Sequence, residues 1–247
     1  MAIVGARRAS AYGLEVARAL GRGLAAAGLT VISGMAMGVD AAAHEGALEG
    51  AGSTIAVLAG AAEIPYPASQ RALYARIVRH GAVVSELPPG FRARRWCFPA
   101  RNRVIAGLAD LTIVVEAGER SGALITSKVA VELGREVGAV PGRITSPLAA
   151  GTNALIADGA ALISSAQKAL DVACGVGVRT LKPGDDADLA PRLRQVLDAV
   201  GRGADTPAAL VAGGLSPGDA LASLGELELC GRLRRGLDGR YVPIGAL

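Results

Sequence analysis

LTIVVEAGERSGALITSKVAVELGREVGAV, residues 111–140, contains the fold in miniature. Two β-rich runs, LTIVVEA (111–117) and EVGAV (136–140), flank a helical stretch at 123–134. A strand, a crossover helix and a second strand read as a parallel pair, and such crossovers are right-handed. The same alternation extends both ways along the chain. Upstream lie AIVGA at the start, LTVISG (29–34), STIAVLAG (53–60) and AVVSEL (82–87); downstream lies ALIS (161–164). Helical patterns fall between them at 12–27, 40–50, 68–80, 100–109 and 152–158. Continuous Val/Ile-rich strands alternating with helices predict a mostly parallel sheet covered on both faces. The expectation is α/β: a doubly wound, Rossmann-like domain over residues 1–174.

The rest of the chain changes character. GVGVRTLKPGDDAD (175–188) breaks the periodicity with Gly, Pro and Asp and reads as a linker. Residues 189–200 and 206–211 read as helices, and Ser216-Pro217 starts a third that runs to about Cys230. RLRRGLDGRYVPI (232–244) carries a hairpin turn at Asp238-Gly239. Three helices and a hairpin over 189–247 predict a winged-helix (helix-turn-helix) domain.

Composition narrows the function classes. The 247 residues are 51% hydrophobic and carry a net charge of +4. No run approaches the roughly 18 uncharged apolar residues that a membrane helix needs, and no secretory pattern opens the chain. The chain starts directly on an apolar strand, as expected at a domain boundary. Three widely separated cysteines, Cys97, Cys174 and Cys230, match neither a zinc spacing nor a disulfide framework. A reducing cytoplasm is the expected setting, with no metal and no cofactor. Two histidines and few carboxylates at strand ends make a poor catalytic kit.

In a doubly wound sheet, ligands sit beyond the carboxyl ends of the strands. The stretches there are Gly5-Ala6-Arg7-Arg8, Ser33 to Asp40, Gly60-Ala61, Glu86-Leu87-Pro88, Glu116 to Thr126 and Pro141-Gly142-Arg143. In SGMAMGVDAAAHEGAL (33–48), Gly34 and Gly38 bracket a loop and Asp40 is placed to cap the following helix. Exposed amides at such a helix start attract an anion; a tight turn for close packing explains the glycines equally well. His44, one turn after Asp40, is expected to orient neighbours rather than act as a base. Ser121 and Gly122 open another helix whose first turn, with Thr126, offers a second phosphate site. Glu116 is expected to anchor its loop, with pairing to Arg101 or Arg103 and general-base work as the other readings.

The charge is uneven. Between Pro67 and Arg103 stand Arg71, Arg76, Arg79, Arg92, Arg94, Arg95, Arg101 and Arg103 against a single acid, Glu86. In RRWCFPARNR (94–103) arginines surround Trp96 and Phe98, in a chain with one Trp and two Phe. Guanidinium groups grip phosphate, and aromatic faces stack unpaired bases. Single-stranded nucleic acid demands both together. Asn102 adds donors and acceptors for backbone or base edges. The alternative is that Phe98 plugs the core while the arginines pair with acids.

IVGAR, SGMAMGVDAAAHEGAL, TIAVLAGAAEIPYP, SELPPG, FPARNRVIAGLAD, VVEAGERSGALIT, GREVGAVPG and GTNALIADGA occur in that order. Together they resemble the DNA processing protein A (Smf) family over nearly all of residues 1–170. The resemblance implies a non-enzymatic protein of natural transformation that binds single-stranded DNA and protects incoming strands. It further implies help in loading a RecA-type recombinase, and a homodimer formed through the Rossmann-like domain. The DNA-binding set expected here is Arg7, Ser33, Gly34, Gly38, Arg94, Arg95, Phe98, Arg101, Asn102, Arg103, Ser121, Gly122, Thr126 and Lys128. Met37 stands where the family usually has a basic residue, which shifts the load to Arg7, Arg101, Arg103 and Lys128. Members commonly carry an N-terminal helical domain, and none is read in this sequence.

Two other readings compete. A Rossmann-type nucleotide phosphoribohydrolase requires a PGGxGTxxE signature, and the comparable strand end reads VVEAGERSGALIT. A regulator reading duplex DNA through the winged helix would place Asp219, Glu226 and Glu228 of 216–230 in a major groove, which is unfavourable. The tail is therefore expected to contact protein or to regulate, with weak wing contacts to phosphates from the later basic residues Arg232, Arg234, Arg235 and Arg240.

Overall fold

The computed structural model describes residues 1–179, 190–229, 232–236 and 238–243. The chain divides into two compact units, Met1–Lys182 and Pro183–Leu247.

The first unit runs β1 (Ala2–Val4), α1 (Ala11–Ala26), β2 (Val31–Ser33), α2 (Val39–Glu49), β3 (Thr54–Val57) and α3 (Arg71–His80). It continues with β4 (Ala82–Val84), α4 (Cys97–Gly107), β5 (Leu111–Val114), α5 (Gly122–Glu132) and β6 (Glu136–Ala139). Last come α6 (Ala150–Ala157), β7 (Ala161–Leu162) and α7 (Ala166–Cys174). The strands form one sheet in the order β4-β3-β2-β1-β5-β6-β7, every neighbouring pair parallel. The Rossmann-like expectation holds.

Alternation along the strands supplies two cores. Ile3, Val31, Leu111 and Ile113 pack on one face with Leu20 and Leu24 of α1, Ala43 and Ala47 of α2 and Leu170 of α7. Ala2, Val4, Ile32, Val57 and Val114 face the other way, onto Ile105 of α4 and Ala123 of α5. Successive side chains of a strand point to opposite faces, so apolar runs without polar interruption are what a sheet covered on both sides requires.

The elements differ from the sequence expectation mainly at their ends. Strands are shorter, because the chain leaves the ladder into local hydrogen bonds: after β4, Ser85 Oγ accepts from Leu87 N at 3.0 Å. The helix expected from residue 100 begins at Cys97, which places Pro99 at its third position. Proline is tolerated there because first-turn N–H groups lack helical partners anyway. α7 was not among the helices read from the sequence; Ser165 caps it, accepting from Lys168 N at 3.1 Å.

The second unit holds α8 (Pro191–Gly201), α9 (Pro207–Ala212), α10 (Pro217–Leu229) and an antiparallel pair, β8 (Leu233–Arg235) with β9 (Tyr241–Pro243). Leu193, Val196, Leu210, Leu224, Leu227, Leu233 and Tyr241 form its core. Thr206 and Ser216 cap α9 and α10, accepting from Ala209 N at 3.2 Å and Asp219 N at 3.1 Å. Gly239 takes φ +79° at the hairpin turn. This order of elements is consistent with the expected winged helix. Residues 180–188 of the expected linker, together with residue 189 and Cys230, lie outside the described residues.

Candidate nucleic-acid interface

The chain winds outward from β1 through β2 and β3 to β4, then returns to lay β5 on the other side of β1. The crevice between the ends of β1 and β5 is therefore the switch point at which a ligand is expected. It is built by a few exact contacts. Ala6 N donates to Glu116 O at 2.7 Å, joining the segments after β1 and β5. The Glu116 carboxylate accepts from Ser10 N at 2.9 Å and Ser10 Oγ at 2.6 Å, and Ser10 Oγ itself accepts from Gly13 N at 3.1 Å. Glu116 thus anchors the start of α1. This is the anchoring role expected of it, and neither Arg101 nor Arg103 is its partner in these hydrogen bonds.

The loop after β2 is held by two buried charged side chains, Asp40 at its end and Arg101 of α4. Asp40 is buried, and its Oδ2 accepts from Gly34 N at 3.0 Å and Ala36 N at 3.4 Å. Arg101 is also buried; its Nη1 donates to Gly34 O at 2.6 Å and to Val57 O. Burial raises the pKa of the Asp40 carboxyl, opposed by the Arg101 charge and the amide hydrogen bonds. Burial lowers that of Arg101, opposed by Asp40 and reinforced by Arg7. A Cβ at Gly34 would strike the Arg101 guanidinium, and Gly38, at φ +80°, lies against the Ala6 carbonyl. Asp40 does not cap α2: the cap is Gly38, with no side-chain bond, and Asp40 turns back onto the loop. Two amides that the sequence offers to an outside anion are therefore taken by the protein's own carboxylate. Ser33, equally buried, donates from Oγ to Ile3 O at 2.6 Å.

Above this base opens a cavity of about 510 Å³. Gly5 and Arg7 line it from the end of β1, Arg95, Phe98, Arg101 and Asn102 from α4 and the residues before it, and Ser121, Gly122 and Thr126 from α5. Ser121 caps α5, accepting from Ala123 N at 3.3 Å, and Asn102 Nδ2 donates to Gly122 O at 3.2 Å. The start of α5 thus stands at the cavity edge, where a helix N-terminus favours an anion. The exposed guanidinium of Arg7 lies 5.1 Å from the centre of the Phe98 ring. Tyr66, which the sequence reading missed, tilts against the other partner of this stack, its centroid 5.4 Å from that of Phe98. A tyrosine in so aromatic-poor a chain, in the loop after β3, was the available signal. Phe98 is half-buried: part of the wall, with a face to the cavity.

The remaining expected residues lie elsewhere. Trp96, Arg103 and Glu86 line a second cavity of about 270 Å³, which shares Arg101 with the first. Arg103 pairs with Glu86 at 2.8 and 3.0 Å. Arg94 lies 5.7 Å from the Phe91 centroid, and Phe91 meets Trp96 edge-on at 6.2 Å. The aromatic–arginine segment is thus divided, not presented as one patch. The cause is the early start of α4: at about 100° per residue, positions two apart turn to opposite sides, and buried Cys97 between them faces inward. Lys128 is exposed on α5 and lines neither cavity.

His44 is buried, with Nδ1 2.7 Å from Thr54 Oγ1; burial and then the Arg101 charge lower its pKa to about 3. It is a neutral hydrogen-bonder, as expected. Among the described residues no cluster of three or more His, Cys, Asp or Glu is placed to hold a metal, and no helix is long and apolar enough to cross a membrane.

Known proteins resemble this chain in sequence and in fold. The family model for DNA recombination-mediator protein A matches residues 1–173, the unit that carries the sheet and both cavities. A candidate DNA processing protein DprA of Mycobacterium tuberculosis is 45% identical over 97% of this chain and 63% of its own length. The crystal structure of DprA from Streptococcus pneumoniae superposes with a TM-score of 0.65 at 42% identity, covering 68% of this chain and 59% of that one. A structure of DNA processing protein A from Helicobacter pylori, described as showing its single-stranded DNA binding mode, gives 0.64 at 30% identity, covering 69% and 78%. The chain spans about three fifths of the length of the curated relatives it matches first. It belongs to the DNA recombination-mediator protein A family.

Proposed function

We propose that the rim between the ends of β1 and β5 binds single-stranded DNA, and that the protein processes DNA by holding the strand rather than by cutting or modifying it. The observation that carries this is the Arg7–Phe98 stack facing the 510 Å³ cavity, opposite the start of α5. A guanidinium, an aromatic face and helix amides meet there, the combination an unpaired strand uses. Arg7, Arg95, Phe98, Asn102, Ser121, Gly122 and Thr126 make the primary contact. Arg101, Ser33, Gly34 and Gly38 shape its floor, while Arg94, Arg103 and Lys128 supply longer-range attraction. Glu116, just after β5, is engaged by Ser10, and Asp40, the carboxylate that lines the cavity, is held by the amides of Gly34 and Ala36.

The wider role proposed is protection of incoming strands during natural transformation in the cytoplasm and loading of a RecA-type recombinase, by a homodimer of the sheet unit. The family supports this reading. Residues 1–174 form the strand-binding domain, 175–188 the linker and 189–247 a winged helix that contacts protein. In α10, Asp219 and Glu226 pair with Arg192 of α8 at 3.1 and 3.7 Å, so the helix presents no basic face to a groove. Titration of a labelled oligonucleotide, single- and double-stranded, at two salt concentrations tests the reading. Preference for the single strand with a steep fall at higher salt supports it; equal or tighter duplex binding refutes it.

A further inference from the structure

The 270 Å³ cleft on the far side of α4 has chemistry of its own. Its walls are Leu58 and Val104, its mouth holds Trp96, and its polar rim is Ser85 with the Glu86–Arg103 pair. Trp96 is 56% exposed, a costly placement for the sole tryptophan of the chain, and Phe91 props its edge at 6.2 Å. The Glu86 carboxylate balances Arg103, and the Arg101 guanidinium at the back is engaged by carbonyls. A phosphate would meet a carboxylate here. A flat neutral group with amino donors meets an aromatic face, apolar walls and an acceptor. Arg101 lines this cleft and the larger cavity alike, so the two flank one helix start.

We infer that this cleft is a second base pocket for the same strand, in which an unpaired base stacks on Trp96 and donates its exocyclic amino group to Glu86. A carboxylate accepts well from such an amino group. Cytosine, adenine and guanine carry one; thymine presents two carbonyls instead. The strand then crosses the start of α4 with one base at Phe98 and another at Trp96. The inference rests on the strand-binding reading above and adds to it a base preference.

Because Trp96 is the only tryptophan, its emission reports the pocket directly. The full chain is titrated with short oligo(dC) and oligo(dT), following tryptophan emission and, in parallel, the anisotropy of an end-labelled strand. We expect oligo(dC) to quench the emission in step with binding, oligo(dT) to bind several-fold more weakly with little quenching, and free dCMP to quench only at far higher concentration. Trp96→Leu should weaken oligo(dC) binding about fivefold or more, the range of a lost stacking contact, with an unchanged thermal midpoint. Glu86→Gln should remove the dC-over-dT preference. Strand binding by anisotropy with no change in emission, or no difference between the two oligonucleotides, overturns the pocket and leaves the strand-binding rim standing. Equal quenching by free dCMP also overturns it, in favour of a mononucleotide site. No anisotropy change with either strand removes the rim and the pocket together.

Discussion

Arg101 donates to the carbonyl of Gly34 at 2.6 Å across 67 residues of sequence, and to Val57 as well, binding the ends of β2 and β3 to α4. An arginine whose sequence setting marks it for phosphate is instead buried at the base of the cavity, bonded to backbone carbonyls.

Replacing Arg101 with Ala is therefore expected to act on stability first. It removes the donor that Arg101 supplies to the carbonyls of Gly34 and Val57. Leaving a buried acceptor without its donor costs about 1–3 kcal/mol, and urea unfolding followed by circular dichroism should show a loss of that order. Arg101→Lys, which lacks the planar fork, should recover only part of it.

Acid sensitivity has an identifiable source in His44. Its pKa is lowered to about 3 in the folded protein, against about 6.5 in an unfolded chain. The unfolded chain thus takes up a proton that the fold excludes, so the contribution of His44 is whole above pH 6.5 and declines as pH falls toward 3. Asp40, raised by burial, pulls the opposite way above its ordinary value, so the His44 effect is read as a difference. The stability advantage of the wild type over His44→Gln should shrink by about 1 kcal/mol between pH 6 and pH 5. A constant difference across that interval would contradict the assignment.

The tail should matter little for strand affinity. Deleting residues 186–247 removes all but the first three residues of the second unit and leaves both cavities, which are lined entirely by the first. Oligonucleotide affinity is expected to stay within about tenfold at fixed salt; a larger loss would place strand contacts on the second unit.

Much of this was legible in the sequence because it depends on local signals. Val/Ile runs announce buried parallel strands, and Ser121, Ser216 and Thr206 announce helix starts that the structure keeps. The position of the crevice was legible for the same reason: glycine and small residues at strand ends mark where backbone must lie open or tightly packed. What stayed hidden was pairing at a distance. Nothing near Asp40 reveals that its carboxylate will turn back onto Gly34 and Ala36, or that Arg101 will lie buried beside it. The split between Trp96 and Phe98 was hidden more narrowly, by a helix that begins three residues earlier than its pattern indicates. Moving that boundary turns one aromatic patch into two clefts.

The central claim concerns Arg7 and Phe98, whose stacked side chains face the switch-point cavity. The direct measurement is single-strand affinity of Arg7→Ala and Phe98→Ala at two salt concentrations, alongside thermal midpoints. Both variants should bind about tenfold or more weakly while remaining folded, and Arg7→Ala should flatten the salt slope by about 0.7. Wild-type affinity in both folded variants would contradict the account.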